Sequence, residues 1–287
     1  MPNPTPGTNA LVTLQQIDEL PCLRIQHPRA NALIALQGAQ VLEFTPAGKP
    51  PVIWLSPTAA FKRGQSVRGG IPVCWPWFGD LTRNPQAVRD CLAQGDTTTP
   101  AHGWVRSLPW LLQRVDADGN GVHLRLDYPT PTGLSTSWAH HISLSLDIHI
   151  GERLQLTLTT HNHGITPLTL SQALHSYFAV SHIDQVQVKG LEQVRYLDTL
   201  QQWQEKRDAE SMPIQQETDR IYLETPSLIR IEDSGWKRAL CIESQQSRSA
   251  VVWNPWIEKA QRLSQFPDDA YQQMLCIETA RVMDDCL

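Results

Sequence analysis

The chain has 287 residues and a formal net charge of −5, from 29 acidic and 24 basic side chains without a long run of either sign, so a surface that follows a nucleic-acid backbone is not expected. Its 41% hydrophobic and 18% charged residues suffice for a large folded core and exclude a disordered chain. The N-terminus lacks the basic and apolar stretches of a signal peptide, and no window reaches the ~18 apolar residues of a membrane helix, so we predict a soluble, cytoplasmic protein without membrane contact.

The chain is predicted to form one domain over residues 1–287, because no shift in composition marks a linker. A flexible tail is expected over the proline-rich residues 1–8. Six cysteines are scattered without a CxxC pair, which fits reduced thiols rather than a zinc site or a disulfide framework. We also expect the protein to be a monomer.

A period of two between apolar and polar residues recurs along the chain. From the N-terminus onwards, residues 82–100 are predicted to form a polar loop, residues 122–128 a half-buried strand, and residues 142–150 and 154–158 a hairpin. Residues 257–265, after Pro255, are the best candidate for a helix. Further short strands are predicted at residues 186–189, 220–224, 228–232, 239–243, 249–253 and 274–278. The sequence therefore predicts an all-β fold of stacked antiparallel sheets with few short helices.

Two segments with arginine are candidates for binding in the first half of the chain. Residues 67–79 combine Arg68 with two adjacent glycines, which allow close backbone approach, and with a guanidinium that suits a carboxylate or phosphate. A tryptophan-rich corner of the core with a surface arginine explains this segment equally well. Further on, His102 and Arg106 are four residues apart, so in a strand their side chains would point to one face and reach one pocket.

Two titratable residues lie in apolar stretches of the second half. His175 is surrounded by apolar and aromatic residues; such a histidine is more often a satisfied core group, but burial would lower its pKa and a neighbouring carboxylate would raise it. Glu278 ends the apolar stretch that begins at Met274. Unless it meets solvent at the end of its strand, its carboxylate needs a partner or a function.

A carbohydrate site would combine these residue types with two more side chains. Asp219 lies in a polar turn that leads into a strand, and Trp253 belongs to an aromatic pair around a turn. Aromatic faces stack on the C–H surfaces of sugars, and short carboxylates bind their hydroxyls. A metal site is not predicted, because no glutamate follows the histidine pair His161 and His163 at the spacing of a cupin-type site.

Six motifs together resemble, in order and spacing, the aldose 1-epimerase superfamily, and most closely its hexose-6-phosphate mutarotase branch. The resemblance extends over residues 24–281 and implies a β-supersandwich, no metal or organic cofactor, and interconversion of the α and β anomers of an aldohexose, here glucose 6-phosphate. The motifs are Arg68-Gly69-Gly70-Ile71-Pro72, His102-Gly103-x-x-Arg106, His175-Ser176-Tyr177-Phe178, Gln216-Glu217-Thr218-Asp219, Trp253-Asn254-Pro255-Trp256 and Cys276-Ile277-Glu278.

The resemblance also implies a role for each candidate residue. His175 matches the general acid of the family and Glu278 its general base. The other positions match substrate-binding residues, with His102 as the histidine that hydrogen-bonds the sugar; they are Arg68, His102, Arg106, Asp219 and Trp253. Because a guanidinium binds phosphate bidentately and keeps its charge, the arginines favour a phosphorylated hexose over a free one.

Two departures from the family pattern and two competing functions accompany this interpretation. Ala101 stands where close relatives often carry glutamine, so one polar substrate contact is expected to be missing. The chain ends at Leu287, where family members usually continue to a last strand, so either the sequence is cut short or the protein lacks that edge. The alternatives are a noncatalytic module that binds or senses sugar phosphates, which needs no acid–base pair, and a metal-dependent sugar isomerase, which is sensitive to chelators.

Overall fold

The computed structural model describes residues 11–92, 99–129, 141–211 and 213–287, and the predicted tail over residues 1–8 lies outside them. The described helices are α1 (Gln86–Leu92), α2 (Trp256–Ala260) and short 3-10 turns. In chain order the strands are β1 (Val12–Ile17), β2 (Leu20–His27), β3 (Ala30–Ala35), β4 (Gln40–Pro46), β5 (Val73–Cys74), β6 (Leu111–Ala117), β7 (Val122–Tyr128), β8 (Ile142–Ile150), β9 (Leu154–Asn162), β10 (Gln172–Leu174), β11 (Tyr177–Ala179), β12 (Val186–Lys189), β13 (Arg195–Asp198), β14 (Gln204–Arg207), β15 (Thr218–Leu223), β16 (Leu228–Asp233), β17 (Arg238–Glu243), β18 (Ser249–Asn254) and β19 (Met274–Arg281).

Antiparallel pairing groups these strands into sheets. β1–β4 and β6–β9 each form a 4-stranded sheet in chain order, and β12, β16 and β17 form a 3-stranded sheet. The largest sheet has 8 strands in the order β14-β13-β15-β18-β19-β10-β5, with β11 also paired to β19. One apolar cluster takes buried residues from all of these sheets, among them Ile25, Leu124, Ile231 and Ile277. The predicted all-β fold of stacked antiparallel sheets with few short helices is confirmed.

The helices differ from their predictions in extent. The segment predicted as a loop over residues 82–100 contains α1, which begins directly after Pro85 and is anchored by Val88, a fully buried side chain. Residues 93–98 of that segment lie outside the described part of the chain. The helix predicted at residues 257–265 ends early, at Ala260. No described helix is long and apolar enough to span a membrane.

The register of the largest sheet places several polar and aromatic residues in one row. Tyr177 on β11 pairs with Cys276 on β19, Cys276 with Trp253 on β18, and Trp253 with Asp219 on β15. Because directly paired residues project to the same face of a sheet, these four side chains share one face. We call it the front face. Residues of the opposite parity, such as Val252, pack into the main core.

Candidate active site

His175 and Glu278 meet where the pairing along β19 is interrupted. β10 and β11 pair with β19 in a common register, and His175 lies in the gap between them, opposite Glu278 on the front face. Nε2 of His175 is 3.3 Å from Oε1 of Glu278, and the two residues are only 9% and 1% exposed. The alternative of a strand-end glutamate in solvent is wrong, because β19 continues to Arg281 and the carboxylate is enclosed.

Burial disfavours the charged form of both members of this pair. It raises the pKa of Glu278 well above its usual value, and the nearby Asp219 carboxylate raises that pKa further while the Arg106 guanidinium opposes the shift. Burial also lowers the pKa of His175 well below its usual value, and the neighbouring His102 and Arg106 act in the same direction. Both residues are therefore favoured in their uncharged forms, so that the pair contains a single proton. Oε2 of Glu278 has no hydrogen-bond partner among the described residues, so it is available to a bound hydroxyl.

An aromatic frame holds the His175 ring. The Tyr177 ring stacks on it with the centroids 4.9 Å apart and the planes 11° apart, and the Trp253 ring approaches edge-on at 6.2 Å. Trp54 in turn stacks on Tyr177 at 5.8 Å. Tyr177 was not predicted as a site residue, although its position two residues after His175 on a β-rich segment was a usable signal.

His102 approaches His175 from a turn. The strand expected for His102 and Arg106 is wrong, because His102 and Gly103 have φ angles of 66° and 73° and Arg106 lies in the 3-10 turn Val105–Ser107. The His102 ring nevertheless lies 5.4 Å from that of His175. Its Nδ1 accepts a hydrogen bond from the backbone N–H of Gly79 at 3.2 Å. Burial lowers the pKa of His102 to about 3, so the ring is neutral and Nε2 carries the proton that it can donate.

We expect Gly103→Ala to displace the turn that carries His102. A Cβ at this left-handed position would overlap the carbonyl oxygen of Trp75, whereas Gly48, at φ +67°, has no atom within 4 Å of a Cβ. Both substitutions carry the backbone penalty of ~1–2 kcal/mol, and only Gly103→Ala adds the overlap. Thermal unfolding should therefore show a larger loss for Gly103→Ala than for the control Gly48→Ala. Equal losses would contradict the tight contact.

Two guanidiniums bring positive charge to the pair. Nη1 of Arg68 donates to the Tyr177 hydroxyl at 3.4 Å, and its Nε donates to the Ser264 carbonyl at 3.3 Å. Arg106 forms no hydrogen bond or ion pair within the described part of the chain, while its charge acts on both His175 and Glu278. Both arginines therefore retain N–H donors for an anionic ligand.

Asp219 and Trp253 lie at the other end of the front-face row that begins at Tyr177. Burial raises the pKa of Asp219, and Lys259 on α2 opposes this shift. Nζ of Lys259 is 5.9 Å from the Trp253 ring centroid and 3.1 Å from Oε1 of Glu217. Lys259 was not predicted as a site residue. Its place three residues after the Trp253–Trp256 motif, in the predicted helix, was the available signal.

All seven predicted site residues thus lie in one region of the structure, and their roles stay predictions. One group of three potential metal ligands occurs among the described residues: His175, Cys276 and Glu278, whose ligand atoms lie within 4.8 Å of one another. The seven predicted residues are Arg68, His102, Arg106, His175, Asp219, Trp253 and Glu278.

Comparison with known sequences identifies relatives over nearly the whole chain. The aldose 1-epimerase family matches residues 21–287. The chain is 33% identical over 271 residues to the "Putative glucose-6-phosphate 1-epimerase" of Escherichia coli (strain K12), which covers 94% of this chain and 86% of the relative. A protein of the same name from Cenchrus ciliaris is 32% identical over 267 residues, covering 88% of this chain and 75% of the relative.

Solved structures agree with these matches. The crystal structure of "a putative mutarotase (YeaD)" from Salmonella typhimurium superimposes with a TM-score of 0.84 at 31% identity, covering 95% of this chain and 86% of the other. A galactose mutarotase-like protein from Clostridium acetobutylicum shares the fold, with a TM-score of 0.66 at 16% identity over 95% of this chain and 89% of the other. The resemblance found in the sequence is confirmed, and the chain belongs to the aldose 1-epimerase family.

Proposed function

We propose that this protein interconverts the α and β anomers of glucose 6-phosphate by acid–base opening and reclosure of the sugar ring. The observation that carries the proposal is the buried His175–Glu278 pair, whose Nε2 and Oε1 atoms are 3.3 Å apart. Arg68 and Arg106 lie near this pair and form no ion pair within the described residues. The names of the relatives, which specify glucose 6-phosphate, support the choice of substrate.

Ring opening requires two proton transfers at neighbouring oxygens. The anomeric hydroxyl loses its proton while the ring oxygen gains one, the C1–O5 bond breaks, and the electron pair of the former O–H bond completes the aldehyde. A base and an acid must therefore flank the same C1–O5 unit. Glu278 takes the hydroxyl proton and His175 donates to the ring oxygen. The single proton of the pair, which burial places on Glu278 in the free protein, must therefore move across the 3.3 Å between Oε1 and Nε2 to His175 when the sugar binds.

Reclosure reverses these roles on the other face of the aldehyde. After rotation about C1–C2, His175 removes the proton from the former ring oxygen as that oxygen attacks C1. Glu278 returns its proton to the carbonyl oxygen, which becomes the anomeric hydroxyl of the opposite anomer. The pair ends in its starting protonation state, and no electrons are gained or lost. Such acid–base assistance is typically worth ~10²–10⁴-fold in rate.

The remaining residues are assigned to the substrate by their chemistry. Arg68 and Arg106 bind the 6-phosphate through charge-assisted hydrogen bonds. His102, which is neutral, donates from Nε2 to a sugar hydroxyl, and Asp219 accepts from another. The Trp253 ring packs on the C–H surface of the sugar.

Saturation-transfer NMR tests the proposal directly. The purified protein should accelerate anomer exchange of glucose 6-phosphate well above the spontaneous rate, with a much smaller effect on free glucose and on galactose. His175→Asn should lose the acceleration. A folded parent protein that binds glucose 6-phosphate without accelerating its exchange would contradict the proposal and would support the noncatalytic sensing module.

We also propose that the protein works in the cytoplasm as a monomer. All six cysteines are unpaired, which suits a reducing compartment. The large exposed apolar side chains, among them Leu14, Ile165 and Leu228, belong to different elements rather than to one strand or helix. Light scattering of the purified protein tests the monomer.

A further inference from the structure

We propose that His175, Cys276 and Glu278 bind a soft divalent cation of the Zn²⁺ type, and that a cation bound there inhibits mutarotation. The inhibitory part rests on the proposed function, whereas the binding part rests on the geometry alone. Cys276 has no part in the acid–base mechanism, so the third ligand is a residue that the reaction leaves unused. Cys276 and Glu278 are two positions apart on β19 and therefore project to the same front face.

The distances suit a small tetrahedral cation. The three ligand atoms lie within 4.8 Å of one another, and Nε2 of His175 is 3.3 Å from Oε1 of Glu278. Zinc binds imidazole nitrogen and carboxylate oxygen at ~2.0–2.2 Å, so two such ligands at tetrahedral angles are about 3.3 Å apart. The Cys276 sulfur, which binds zinc at ~2.3 Å, lies within 4.8 Å of both other ligand atoms.

The local chemistry also favours a cation. Oε2 of Glu278 is buried without a hydrogen-bond partner among the described residues. Cys276 is fully buried beside this carboxylate, two positions away on the same strand. A divalent cation bound by neutral imidazole, thiolate and carboxylate would displace two protons, one from the thiol and the single proton of the His175–Glu278 pair, and would neutralise the two anionic ligands together. Three protein ligands leave one coordination position open for water.

Occupation of this site is incompatible with catalysis. The cation takes the Nε2 lone pair of His175 and an oxygen of Glu278, which are the groups that transfer protons to and from the sugar. Inhibition should therefore be competitive with glucose 6-phosphate and reversed by a chelator. A chelator should therefore restore the rate of this protein after inhibition by the cation, whereas it would abolish the rate of a metal-dependent isomerase.

Cobalt provides a readout that does not depend on activity. Titration of the full-length protein with Co²⁺ should produce a thiolate-to-cobalt charge-transfer band with 1:1 stoichiometry, and Zn²⁺ should displace the cobalt. Cys276→Ala should remove the band, weaken Zn²⁺ binding at least about tenfold and relieve Zn²⁺ inhibition to the same extent. Cys276→Ser nearly preserves the side-chain volume, so loss of the band in this variant as well would exclude repacking as the cause.

Cys74 offers a matched control, because it is also fully buried and its sulfur lies 3.4 Å from Nδ1 of His102, outside the proposed ligand set. Cys74→Ala should retain the charge-transfer band. The absence of a band in the parent protein, or its survival in Cys276→Ala, would overturn the site. Binding without inhibition of an active protein would overturn the inhibitory part. A normal band in a protein that never accelerates anomer exchange would instead refute the proposed function and leave the binding site supported.

Discussion

Glu278→Gln is expected to abolish catalysed anomer exchange of glucose 6-phosphate while making the folded protein more stable at neutral pH. Glutamine keeps the shape of the side chain but cannot take a proton from the anomeric hydroxyl. The contribution of a positioned general base is ~10²–10⁴-fold, so the residual rate should approach the spontaneous one. The gain in stability follows from the burial of the carboxylate, which is only 1% exposed.

The sign of the stability change follows from the raised pKa of Glu278. In the unfolded chain a glutamate carboxyl titrates near pH ~4.3, whereas in the folded protein it keeps its proton to higher pH. The stability that this group contributes is therefore complete below the unfolded pKa and is lost as the pH rises through the folded pKa. Glutamine does not titrate, so the variant should gain stability relative to the parent over that range, on the order of 1–4 kcal/mol.

Two measurements check this prediction. Anomer exchange is followed by NMR, and the free energy of unfolding of parent and variant is compared between about pH 4 and 8. Glu258→Gln is the matched control, because Glu258 is an exposed glutamate on α2; it should change neither the rate nor the pH dependence of stability. A Glu278→Gln protein that retains catalysis would contradict the role of the base. A stability difference that does not change with pH would contradict the buried carboxylate.

The sequence predicted the alternating strands and also the buried β18 and β19, but it missed the N-terminal sheet and several short strands. β7 and β8 alternate clearly, and the hairpin of β8 and β9 lies at its predicted place. The N-terminal sheet was not predicted, because β3 is buried at five of its six positions, so the period of two disappears from its sequence. The three-residue strands β10 and β11 are too short to give a pattern, although they position His175.

The candidate residues could be selected from the sequence, but their geometry could not. His175 and Glu278 are far apart in the chain, and their contact depends on the common register of β10 and β11 with β19. The turn at His102 has a left-handed φ at a residue other than glycine, which no local sequence pattern predicts. Cys276 was counted among the scattered reduced thiols and not as a ligand, because its approach to His175 depends on pairing across strands.

Removal of both guanidiniums should abolish the preference for a phosphorylated sugar. Each charge-assisted hydrogen bond is worth ~1.5–3 kcal/mol, so the double variant Arg68→Ala/Arg106→Ala should lose at least about 100-fold in kcat/KM for glucose 6-phosphate. Because Arg106 also opposes the rise in the pKa of Glu278, removal of Arg106 affects the reactions of both substrates. The slow reaction of free glucose therefore serves as an internal reference. The ratio of the two kcat/KM values therefore isolates recognition of the phosphate.

A double variant at two exposed arginines that are not among the seven predicted site residues, Arg83→Ala/Arg262→Ala, makes the same change in net charge and should leave this ratio unchanged. Circular dichroism and the glucose rate establish that the Arg68/Arg106 variant is folded. If that variant kept the parent's ratio, these arginines would not bind the phosphate. Lys259, whose Nζ lies 5.9 Å from the Trp253 ring centroid and whose charge acts on Asp219, would then be the next cation to replace.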